Sequence, residues 1–146
     1  MQKIIIAVMA TTIMAAAASV LAVFVASQTI PNTMYVKTVG VGVYWDSGST
    51  NEVSSINWGN VEPGETTSKT IYVKNEGTVP MILTMTTGGW NPPSASSYVT
   101  LSWNRDGYVL DSGAVVQAVL TLSLSSSVSG ITSISFDTTI TGTEQT

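Results

Sequence analysis

The chain contains neither cysteine nor histidine. No disulfide can staple it, so a small domain built from it must be stabilised by an ample core, a ligand or self-association. The same two absences exclude a Ser-His-Asp or Cys-His mechanism and the usual zinc ligand sets. Charge is scarce as well, with five Lys and Arg against nine Asp and Glu. After Lys3 the basic residues are spread from Lys37 to Arg105, so no basic patch exists to neutralise phosphates and nucleic acid is excluded as a partner. No Asn-x-Ser/Thr triplet occurs, which removes N-glycosylation.

What is present begins with Lys3, followed by an uncharged apolar run from Ile4 to Ala26. A basic start, an apolar stretch and the small-residue exit Val25-Ala26-Ser27 describe a secretory signal, with cleavage expected between Ser27 and Gln28. The run exceeds the roughly 7–15 apolar residues usual for a signal and could span a bilayer as a helix. The closing residues Thr141 to Thr146 offer no second anchor. The expected organisation is a signal peptide or apolar helix over residues 1–27, an extended segment over 28–37 and one β domain over 38–146. The expected location is extracellular, with membrane contact only through the signal.

Beyond Gln28 the apolar period is two. Val39, Val41, Val43 and Trp45 alternate with Gly40, Gly42 and Tyr44 and predict one strand. Asp46 to Asn51 reads as a polar loop, Ile56 to Trp58 as a short strand, and Glu62-Pro63-Gly64-Glu65 as a turn. Lys69 to Lys74 and Met81 to Thr87 read as a hairpin around Asn75-Glu76-Gly77. Gly88 to Pro93 reads as an irregular loop holding Trp90. Tyr98 to Trp103 is a strand, and Asn104 to Gly107 a hairpin-like turn leading into Tyr108 to Leu110. Val115 to Leu124 and Ile131 to Ile140 are the last two strands, joined by the turn Ser125 to Gly130. Short strands divided by Gly, Pro and Asn turns predict an all-β antiparallel sandwich of jelly-roll or immunoglobulin-like kind, preceded by the apolar signal helix.

The aromatic residues Trp45, Trp58 and Trp103 sit on or beside alternating strands and are expected to pack in the core. Trp90 could close one end of the sandwich or offer a stacking platform for a sugar. The carboxylates Asp46, Glu62, Asp106, Asp111 and Asp137 lie mostly in or near turns, where solvated surface charge is their ordinary role. No convergent set for glycoside hydrolysis or calcium binding can be named. No enzymatic activity, cofactor or metal is expected.

Gln28 to Lys37 stands apart. As an extended segment it places Ile30, Met34 and Val36 on one face, with Asn32 as the weak member of that row. Pro31 forbids a helix and removes one ladder donor, so it belongs on an edge or an exposed stretch. The segment can serve as an ordinary first strand of its own domain. Alternatively, once freed at Gln28, it can complete the sheet of another copy by β-strand addition. Head-to-tail contacts of that kind that do not close produce a filament. The apolar faces of Val115 to Leu124 and Ile131 to Ile140 are the expected walls of such a groove.

Several short motifs follow in order: Trp58-Gly59-x-x-x-Pro63-Gly64, Tyr72-Val73-x-Asn75-x-Gly77, Trp90-Asn91-Pro92, Leu101-Ser102-Trp103 and Gly107. This ordered set resembles archaeal bundling pilins and, more distantly, the TasA/camelysin family of biofilm matrix fibre proteins. The resemblance implies a secreted jelly-roll-like sandwich that polymerises by donor-strand complementation, with Ile30, Met34 and Val36 on the donated strand. It implies a homopolymer whose filaments can bundle for adhesion or biofilm, with neighbouring filaments as further partners. Camelysin relatives are described as metallopeptidases, and that activity does not carry over to a chain without histidine. Two other expectations stand beside the filament: a monomeric extracellular binding module held by an uncut anchor, and a type IV-like pilin, for which the usual cut site ahead of the helix is missing.

Overall fold

The computed structural model describes residues 29–146, and the expected signal segment with its Ser27/Gln28 junction lies outside them. Within that range the chain is an all-β sandwich of two sheets. Its strands are β1 (Ile30–Val39), β2 (Val41–Tyr44), β3 (Ser55–Val61), β4 (Thr66–Asn75), β5 (Met81–Asn91), β6 (Val99–Trp103), β7 (Val109–Leu110), β8 (Val115–Leu124) and β9 (Ile134–Glu144). A single 3-10 turn, Pro93–Ser97, separates β5 from β6. The five-stranded sheet runs β3-β1-β9-β5-β7 and the four-stranded sheet β2-β4-β8-β6.

Period-two alternation builds the core between them. In β8, Val116, Ala118, Leu120, Leu122 and Leu124 are buried while Val115 and Gln117 are exposed. In β9, Ile134, Phe136, Thr138 and Ile140 are buried in the same rhythm. Such alternation turns one face of each strand to the partner sheet and leaves Ser and Thr to cover the other. The outer faces carry hydroxyl pairs across strands, such as Thr66 with Ser123 at 2.9 Å.

Several expectations from the sequence change here. The predicted strand through Val39 and Trp45 is broken at Gly40, whose φ of +76° turns the chain from the five-stranded sheet into the four-stranded one. Trp45 lies past the end of β2 and is 37% exposed, so it is not a core residue. β4 and β5 do not form a hairpin, since β4 pairs with β2 and β8 while β5 pairs with β9 and β7. Buried Asn75 organises that crossing. Its Nδ2 donates to the carbonyls of Val79 at 2.7 Å and Leu110 at 3.0 Å, and its Oδ1 accepts from the Gly77 amide at 2.9 Å. The turn after β6 likewise carries the chain to the opposite sheet and closes no hairpin.

Gly88 to Asn91 is strand with a register irregularity, not an irregular loop. Gly89, at φ +60°, lets the strand bulge and still return to β9. Trp90 then stacks on Phe136 with ring centroids 4.4 Å apart, which makes it packing at one end of the sandwich. The Glu62 to Glu65 turn forms as expected, with Gly64 at φ +85° and the Glu65 amide bonded to the Glu62 carbonyl. The sandwich is also not wholly antiparallel. β1 runs parallel to β9.

Candidate functional site

The segment singled out in the sequence is an interior strand of its own sheet, next to the edge strand β3. β1 pairs antiparallel with β3 from Ile30↔Val61 to Tyr35↔Ser55, and parallel with β9 from Asn32↔Ile134 to Val39↔Thr141. Ile30 and Met34 are buried, 2% and 0% exposed, and Val36 is half-buried against the core. The use as an ordinary first strand is thus the one seen in the single chain. Of the two expected walls, β9 flanks the segment directly, whereas β8 belongs to the other sheet.

Pairing is uneven along β1. Ile30 and Pro31 are held by β3 alone, and the residues from Lys37 to Val39 by β9 alone. Only Asn32 to Tyr35 lie in both ladders, with the Val36 amide adding a bond to the Ser54 carbonyl at 2.9 Å. Pro31 fits this pattern, because its missing N–H falls where the β9 ladder has not begun. On the outer face Lys37 Nζ meets Asp137 Oδ2 at 2.7 Å.

The strand's place in the topology makes it essential. Among the described residues β3 pairs with β1 alone, so without that strand β3 would be cut off from the five-stranded sheet. The link onward is short: Gly40 alone, exposed, separates the end of β1 from β2 in the opposite sheet. A Cβ at Gly40 would stand 2.9 Å from the Gly142 carbonyl oxygen.

A cleft of about 300 Å³ opens on the opposite lateral side, lined by Met85, Leu101, Ser102, Trp103 and Asp106. There β6 ends its sheet and β5 has β7 beside only Met81 and Ile82. The lining offers apolar surface and one carboxylate, without a second titratable group for acid–base work. Among the described residues no three His, Cys, Asp or Glu side chains gather as a metal would require. The groups with displaced pKa values are elsewhere. Thr50 and the Asn51 amide donate to Asp46 and hold its carboxyl below the usual range, while a hydrogen bond to Glu76 raises the Tyr44 phenol. Both are structural bonds of the β2 loop and its surroundings.

No protein-family model matches the chain, and no curated protein matches it.

Proposed function

We propose that this chain is a structural subunit of an extracellular filament, joined to its neighbours by exchange of β1. The carrying observation is that β1 completes the five-stranded sheet between β3 and β9, while its covalent link to the next strand is the single residue Gly40. Swinging that strand out and receiving the same strand from a sibling would reproduce every contact of the slot, so exchange costs little in bonding. A chain that donates forward and accepts from behind makes a contact that does not close, and the product is a fibre. Cleavage between Ser27 and Gln28 would free the donated end. The finer fold reading, a jelly-roll or immunoglobulin-like sandwich akin to the archaeal bundling pilins and TasA-like proteins, agrees with this role. Bundling of such fibres for adhesion or biofilm would follow from their nearly uncharged, hydroxyl-covered faces.

A second reading has an observation of its own. β1 docked within its parent describes a self-contained monomer, which an uncut apolar segment could hold at a membrane as a binding module. One experiment separates the two. Tyr35 and Ser55 face each other across β1 and β3, and the native chain has no cysteine. Oxidising the Tyr35→Cys/Ser55→Cys chain, recovered from the cell surface, gives a ladder of covalent multimers if β1 is exchanged. A single monomer band refutes exchange and leaves the anchored module.

A further inference from the structure

Among the described residues the interior of the sandwich holds three fully buried polar side chains: Asn32, Asn75 and Thr138. Asn75 satisfies its amide completely, as a core residue should. The other two do not. Asn32 Nδ2 donates to the Ile30 carbonyl at 2.8 Å, but among the described residues its Oδ1 has no partner, and neither has the Thr138 hydroxyl. Both lie on the β1–β9 pair, Asn32 on the strand and Thr138 on the wall opposite Val36.

The β3 wall repeats the pattern. Its register with β1 slips between Asn32 and Thr33, so that Trp58 is passed over between Gly59 and Asn57. Gly59 takes a φ of +73° there, and its amide is satisfied by the Asn57 side chain at 2.8 Å. Trp58 itself is buried, and its indole N–H is unpartnered. Of the five unmatched buried side-chain atoms among the described residues, three thus gather at the slot, one on the strand and one on each wall. Asn32 also opens the short stretch, Asn32 to Tyr35, that both walls hold. A leucine-like side chain at that position would seal the seam by the same apolar contacts that Ile30 and Met34 make on either side.

We infer that Asn32, with Thr138 facing the same strand, is a built-in weak rung that keeps β1 releasable from its slot. A buried acceptor without a donor raises the free energy of the docked state, because it bonds to water whenever the strand is out. The penalty of the Asn32 acceptor falls on the docked strand, because that side chain regains water when β1 leaves; two further unmatched buried atoms, Trp103 Nε1 and Ser49 Oγ, lie away from the slot. This deepens the exchange reading and rests on it for its biological purpose, though strand release is measurable on an isolated chain.

The test places a reporter thiol in the seam through Met34→Cys and follows its reaction with a soluble disulfide reagent in the monomer. Thr138→Val removes the wall hydroxyl at constant shape, and Asn32→Leu removes the amide from the strand. Each should slow labelling of the thiol by about tenfold, the order expected when an unmatched buried polar group is removed. Unchanged or faster labelling in Thr138→Val overturns the inference, as does such a result in a folded Asn32→Leu chain. Should Asn32→Leu fail to fold, Thr138→Val alone decides. Because labelling is read on separate chains, its outcome is independent of whether the cysteine pair across β1 and β3 reveals multimers.

Discussion

Lys37 of β1 and Asp137 of β9 form an ion pair at 2.7 Å across the parallel strands, on the outer face of the five-stranded sheet. With the two side chains 62% and 30% exposed, water screens most of the attraction. Asp137→Asn should therefore lower stability by less than about 1 kcal/mol, and the loss should shrink further at high salt. Urea denaturation at two ionic strengths measures both. A loss of several kcal/mol would mean that the pair, and not the buried face, clamps β1.

Asn75 is the opposite case, a buried amide with every contact made. Asn75→Ala strands two carbonyls and one amide where the chain crosses between sheets, and should cost about 2–4 kcal/mol. Asn75→Asp keeps the acceptor but loses both donors, and should be no milder. Thermal unfolding of the two variants checks the ranking.

The Trp90–Phe136 stack predicts a graded response. Trp90→Ala removes a half-buried ring from a largely buried partner and should destabilise by about 2–3 kcal/mol. Trp90→Phe keeps an aromatic face against Phe136 and should lose less than half of that.

The loop after β2 should open in acid. Thr50 and the Asn51 amide bond the ionised Asp46 carboxylate and depress its pKa below its ordinary value of 3.8. The sign follows from linkage: a depressed carboxyl stabilises the fold above its unfolded pKa, and that contribution is lost as pH falls through the folded value. The Thr50 and Asn51 amide resonances should shift together with a midpoint below 3.8, and Asp46→Ala should shift them at neutral pH.

Much of the architecture was legible in the residues themselves. Alternation in Val115 to Leu124 placed β8 to the residue, because a strand with one buried face must repeat every second position. The turn at Gly64 was equally readable, since Pro63 and Gly64 satisfy its dihedral demands locally. Ile30 and Met34 could be picked out as the buried row of an extended segment by the same rule. Partners were harder. Asn75-Glu76-Gly77 reads as a hairpin turn from the sequence but spans two sheets, and the Asn75 bond to the Leu110 carbonyl joins residues far apart in the chain.

The sequence by itself determined that the region beyond Gln28 is all β, that the chain lacks the side chains of common catalytic and zinc sites, and that its first strand presents Ile30, Asn32 and Met34 on one face. Only the tertiary structure decided that this strand lies parallel to β9, that β3 depends on it, and that Asn32, Trp58 and Thr138 leave polar atoms unmatched around it. Periodicity is a property of neighbouring residues and can be read along the chain. Strand order and the matching of buried polar groups depend on which distant segments meet, and no local pattern encodes that.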